Sequence, residues 1–204
     1  MNIISSLSNI PVSHSCIGDL FPKLSGKSQK VRQLERAGEI VRLKRGLYVV
    51  SPEVSGVPIS TELIANHLYG PSYISMLSAL RFYGLIPETV YEMQSVTIKH
   101  FKRFENQFGR FCYYSCPVSF FGIGIAQRDG FVIASPEKAL CDLVVHTKGI
   151  HFRYKKEWIQ YLEDDIRFDM ACLDKMDTTI IRSCATIGKK KNTLLLLAQI
   201  IEKK

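Results

Sequence analysis

Lys27, Ser28, Gln29, Lys30, Arg32, Gln33 and Arg36 crowd one short stretch near the N-terminus, and together they have the chemistry to grip a polyanion. Ammonium and guanidinium groups bond phosphate oxygens. Arg and Gln can also address guanine and adenine edges through paired hydrogen bonds. Interleaved with them are Val31, Leu34 and Ala37, spaced three apart, which predicts a helix over 26–37 with one narrow buried stripe and a polar, basic remainder. Ser25 is placed to cap its start and Gly38 to end it.

The flanking residues supply a frame for that helix. Val12 to Phe21 reads as a short preceding helix, stopped by Pro22, and residues 2–9 as a shorter one still. After Gly38, the β-prone runs on either side of Lys44-Arg45-Gly46 predict a hairpin over 39–50, with Gly46 supplying the permissive backbone. A short helix, a tight turn, a polar-basic helix and a basic-tipped hairpin describe a winged helix-turn-helix. In that arrangement the second helix enters the major groove of double-stranded DNA, and Arg42, Lys44 and Arg45 on the wing meet phosphate or the minor groove.

Charge placement points the same way. Residues 1–50 hold eight Lys/Arg against three acids, a net +5, whereas residues 51–204 hold 19 against 16, a net +3 over a segment three times longer. A local excess of this kind suits a phosphate partner, because neutralising phosphates releases condensed counterions.

Other chemistries find less support. Gly26-Lys27-Ser28 matches the end of a phosphate-binding P-loop, but the glycine required five residues earlier is replaced by Phe21. Cys112 and Cys116 lack the Cys-x-x-Cys spacing of structural zinc and read instead as strand residues on one face, so no metal is expected. Glu137 and Asp142, or Glu163-Asp164-Asp165, are conceivable nuclease carboxylates. Glu137 is better explained by a helix dipole, and adjacent acids on a helix diverge rather than chelate. No nucleophile elbow, zinc-helix motif or catalytic constellation appears, and neither catalysis nor a cofactor is expected.

Three segments, in order along the chain, resemble AbiEi-type antitoxins, the regulator halves of type IV toxin–antitoxin pairs. They are Leu34-Glu35-Arg36-Ala37-Gly38-Glu39-Ile40-Val41-Arg42-Leu43-Lys44-Arg45-Gly46-Leu47-Tyr48, Tyr73 through Glu88, and Ala134-Ser135-Pro136-Glu137-Lys138-Ala139-Leu140-Cys141-Asp142-Leu143. The resemblance implies a transcriptional repressor of its own operon whose N-terminal winged helix binds operator repeats. It also implies a C-terminal domain that opposes a nucleotidyltransferase-like toxin, without a stable complex between the two. The reading set against it is a ligand-responsive winged-helix regulator unrelated to toxins.

Downstream, the turn-rich stretch from Ser51 to Pro58 reads as a linker, dividing a DNA-binding domain at 1–55 from a second domain at 56–204. Ser60 is placed to cap a helix running to Leu68. Tyr73, Met76, Leu77 and Leu80 have the spacing of a buried helical stripe, ended by Gly84. Strands are predicted at 94–99, 111–115, 120–126 and 131–134, with a hairpin at Asp129-Gly130, and a helix from Ser135-Pro136-Glu137 to Val145. The final third reads as helical. The fold expected is therefore α+β: an N-terminal winged helix-turn-helix, a mixed α/β domain and a helical C-terminal end. The apolar run from Leu194 to Ile201 is too short to span a bilayer, which needs about 20 residues. No basic, apolar leader opens the chain, and a cytoplasmic location is expected.

Overall fold

The computed structural model describes residues 3–202 of the chain. It is an α+β protein in two compact units, one of residues 1–70 together with 105–108, the other of 71–104 and 109–204. The first unit thus runs on past the turn-rich stretch at 51–58, taking in a helix that the sequence reading placed in the second domain.

In the first unit a 3-10 turn at Ile3–Leu7 occupies part of the segment 2–9 expected to be helical, Asn2 lying outside the described residues. Strand β1 (Val12–Ser13) and helix α1 (His14–Asp19) follow. The helix predicted from Val12 therefore starts two residues late. Val12 and Ser13 pair instead with Tyr48 and Leu47, and the Ser13 hydroxyl caps α1 by accepting from Cys16 N at 3.1 Å. Helix α2 (Lys27–Arg36) has Gly26 rather than Ser25 at its N-cap position and no side-chain cap. Its end is well defined: Gly38 adopts φ +73°, Gly38 N donates to Glu35 O, and Glu39 N donates to Leu34 O. This doubly bonded exit needs a left-handed residue, which glycine adopts without steric cost. Strands β2 (Ile40–Lys44) and β3 (Leu47–Val50) form the expected antiparallel hairpin, turning at Arg45-Gly46 with Gly46 at φ +79°. Ile4, Ile17, Val31, Leu34, Ile40, Tyr48 and Val50 make one core beneath these elements. Two short helices, α3 (Pro52–Ser55) and α4 (Thr61–Leu68), complete the unit, the latter capped as expected by Ser60, which accepts from Leu63 N.

The second unit is built on a six-stranded mixed sheet of β4 (Ser72–Ile74), β5 (Glu92–Thr97), β6 (Lys102–Asn106, whose last two residues belong to the first unit), β7 (Gly109–Ser115), β8 (Ile125–Arg128) and β9 (Phe131–Ala134), in the order β6-β7-β5-β4-β9-β8. Strand β4 pairs antiparallel with β5 and parallel with β9, while β5 and β7 run parallel. Tyr73, predicted on a helix, belongs to β4, and helix α5 (Met76–Phe82) starts only after Ser75. Tyr73 pairs with Val96 of β5 while the adjoining Ile74 pairs with Ile133 of β9, and that long-range pairing overrides the helical spacing. The strand predicted at 120–126 is also revised. Pro117 opens a short helix α6 (Val118–Phe121), so β8 begins at Ile125. The β8–β9 hairpin turns through Asp129 and Gly130, both at positive φ, as the Asp-Gly dipeptide predicted. Helices α7 (Pro136–His146), α8 (Lys155–Gln160), α9 (Met170–Leu173), α10 (Thr178–Ile187) and α11 (Lys191–Ile201), with a π-helical turn at Tyr161–Asp165, make up the helical remainder. Among the described residues, no helix is long and apolar enough to cross a membrane.

At the centre of this unit Asp142, weighed above as a nuclease carboxylate, is instead half of a buried charge pair. Lys138 and Asp142, one turn apart on α7, are both fully buried with Nζ 3.0 Å from Oδ1, an ion pair outside hydrogen-bonding geometry. Lys138 donates to the carbonyl of Phe120 and stacks over that residue's ring. Asp142 Oδ2 accepts from the Tyr73 hydroxyl at 3.0 Å and the Ser75 hydroxyl at 2.7 Å. Burial, aided by the nearby Asp142 charge, pushes the Tyr73 phenol far above its usual range and keeps it a donor. These bonds pin α7 to β4 and α6, because each buried charge would otherwise face an apolar interior.

Candidate nucleic-acid interface

Helices α1 and α2 meet closely because Gly18 leaves room: a Cβ there would lie 3.3 Å from Lys27 Cβ. The contact sets the lower end of α2. Val31 and Leu34 face the core, while Ala37, expected on the same stripe, is the exposed C-terminal cap. Of the predicted contact residues on α2, Ser28, Gln29, Arg32, Gln33 and Arg36 are exposed, and Lys27 and Lys30 are partly so. The narrow apolar stripe is the cause, since a helix buried along one line must present every other side chain outward.

These residues differ in how far they are already engaged. Lys27 pairs with Asp19 at 2.8 Å, and Lys30 lies over the Phe21 ring. The Ser28 hydroxyl shares a hydrogen bond with His14 Nε2 at 3.1 Å, a link between α1 and α2 that spacing alone did not reveal. The side chains of Gln29, Arg32, Gln33 and Arg36 make no hydrogen bond or ion pair among the described residues. Four side chains able to donate to phosphates or bases thus project from one helix with nothing among the described residues to satisfy them.

The hairpin is more mixed. Arg42 pairs with Glu35 at 2.9 Å and lies over the Tyr48 ring, tying β2 to α2. That hydrogen bond to Glu35 raises the guanidinium pKa further, so the arginine stays charged. Lys44 donates to the carbonyl of Leu68 at the end of α4. Arg45, at the turn, is exposed and without a side-chain partner among the described residues. Of the three hairpin cations, only Arg45 is therefore unengaged at the tip. An exposed ion pair such as Arg42–Glu35 contributes up to about 1 kcal/mol, little enough for a phosphate to displace it.

The remaining candidates sit elsewhere. Glu137 is nearly buried and accepts from Asp177 N at 3.0 Å, a structural bond, while Glu163, Asp164 and Asp165 occupy the exposed π-helical turn. All six cysteines are free thiols, with Cys112, Cys116, Cys141 and Cys184 buried. Among the described residues, no three or more His, Cys, Asp and Glu side chains gather as a metal site would require.

No family model matches the chain. No curated protein matches it either. Among solved structures it is similar to the crystal structure of the RV2827C protein from Mycobacterium tuberculosis, with a TM-score of 0.51 and 12% identity over 99% of this chain and 80% of that one. At that identity the likeness concerns the fold alone.

Proposed function

We propose that the first unit is a winged helix-turn-helix and that the chain is a sequence-specific DNA-binding repressor, serving as the antitoxin of a type IV toxin–antitoxin pair. Helix α2 enters the major groove of duplex operator DNA, and the β2–β3 wing meets the flanking backbone. The observation that carries the DNA half of this reading is the face of α2, where Gln29, Arg32, Gln33 and Arg36 stand exposed without side-chain partners among the described residues. The local net charge of +5 supports it. Lys27, Lys30 and Arg45 supply phosphate contacts around that face, and Gln29, Arg32 and Gln33 make the choice of sequence. The antitoxin half rests on the three segments that resemble AbiEi-type regulators. Its functional partner is a nucleotidyltransferase-like toxin encoded alongside, opposed without a stable complex, and no catalytic role falls to this chain.

The two jobs separate experimentally. A chain carrying Lys30→Ala, Arg32→Ala and Arg36→Ala loses repression of its own promoter yet still protects cells expressing the neighbouring toxin. Reporter output and survival, measured at matched protein abundance, check this. Loss of both activities together in a normally folded variant refutes the division of labour.

A further inference from the structure

In the second unit, the end of α7, the link from β7 to α6 and the turn from α10 to α11 line an open cleft of about 640 Å3. That is within the range of roughly 300–1,000 Å3 typical of small-molecule sites. Cys116, Phe120, Val145 and Ile187 give it an apolar wall. Gly188 makes the wall possible, because a Cβ there would sit 2.7 Å from both Phe120 Cε2 and the Cys184 carbonyl. Only a bare backbone lets the α10–α11 turn lie against the Phe120 ring. Ile187, 45% exposed, is a large apolar side chain left open at this rim.

Three polar side chains complete the lining, Ser115, His146 and Lys189. Burial lowers the His146 pKa and keeps its ring neutral, and Nε2 is buried without a hydrogen-bond partner among the described residues. A buried polar atom left unpaired is unfavourable, so a group that reaches it gains by doing so. Lys189 is exposed and makes no ion pair among the described residues. The other ammonium groups nearby already have protein partners. Lys138 is paired with Asp142, and Lys190 donates to the carbonyls of Val144 and Thr147 at the end of α7. Carbonyl partners leave the Lys190 charge in place, so the field at the mouth is positive, set by Lys189 together with Lys190.

We propose that this cleft binds a small organic monoanion with an apolar, ring-sized body, of the aromatic carboxylate class. The body lies on Phe120, Val145 and Ile187, and the carboxylate pairs with the Lys189 ammonium and takes a hydrogen bond from the His146 ring. An uncharged ligand would leave Lys189 unmatched, and a purely inorganic anion would leave the apolar wall wet. The chemistry of the lining thus selects an amphipathic acid.

Calorimetric titration of the full chain with 2-naphthoate, and with its uncharged counterpart 2-naphthamide, tests this without reference to DNA. Its outcome is therefore independent of the operator reading. Saturable one-to-one binding of the naphthoate is expected, with a dissociation constant of about 10–100 µM, as a ligand of this size reaches. The amide should bind about three- to fivefold more weakly, a difference that Lys189→Met abolishes. Lys189 is a surface residue, so that variant retains the fold. Filling the cleft by Val145→Phe or by Ile187→Trp, each verified as folded by circular dichroism, should eliminate naphthoate binding. Absence of saturable binding up to about 1 mM overturns the site. So does equal affinity for acid and amide, or binding that survives both filling variants.

Discussion

Reversing four charges on α2, with Lys27, Lys30, Arg32 and Arg36 all changed to Glu, is expected to weaken operator binding by at least about a thousandfold while the protein stays folded. None of the four lies on the buried Val31/Leu34 line, so the core of the first unit is untouched. The only ion pair lost is Lys27–Asp19, whose partners are 42% and 71% exposed, and such a pair contributes no more than about 1 kcal/mol. Each new carboxylate instead repels the phosphates that the native cation would neutralise. Fluorescence anisotropy on an operator duplex, with thermal unfolding as a control, reads both effects. Undiminished binding by the folded variant would remove α2 from the interface.

The second large effect concerns stability. Lys138→Met leaves Asp142 as an uncompensated charge in a fully buried site, and breaking such a pair from one side typically costs about 3–5 kcal/mol. Adding Asp142→Asn removes the stranded charge while keeping an oxygen to accept from Tyr73 and Ser75. The double variant should therefore recover a large part of the loss, and urea unfolding of the wild type, both single variants and the double variant measures the coupling. A Lys138→Met protein within about 1 kcal/mol of the wild type would mean that the pair does not anchor α7 as described.

Local signals in the sequence were legible wherever the chemistry was itself local. The stripe of Val31 and Leu34, the Gly38 exit and the Arg45-Gly46 turn are each fixed by neighbours within a few residues, and the structure has them where the pattern puts them. Ser60 and Ser135 cap their helices for the same reason. Failures came where distant segments decide. Tyr73 has helical spacing to Met76 and Leu80, yet β5 and β9 draw it into a strand. Strand β6 escaped notice because Lys-Arg-Phe-Glu-Asn lacks the alternation of a half-buried strand, being an edge strand largely open to water. Charges four apart usually mark a solvated helix face, so Lys138 and Asp142 gave no sign that β4 and α6 would enclose them. At the candidate interface, residue type was readable but engagement was not. Nothing in the local pattern revealed that Lys44 would donate to Leu68, or that Ser28 would be held by His14.

The central claim, recognition of a particular DNA sequence through α2, is tested most directly by titrating the full chain against two duplexes over a range of salt. One duplex is the DNA immediately upstream of the chain's own reading frame, and the other is a scramble of equal length and composition. With roughly four to six phosphates contacted, log affinity should fall against log salt with a slope near −4 to −5. The upstream duplex should bind at least about a thousandfold more tightly than the scramble. Equal affinity for the two duplexes, or affinity that does not change with salt, would contradict the account.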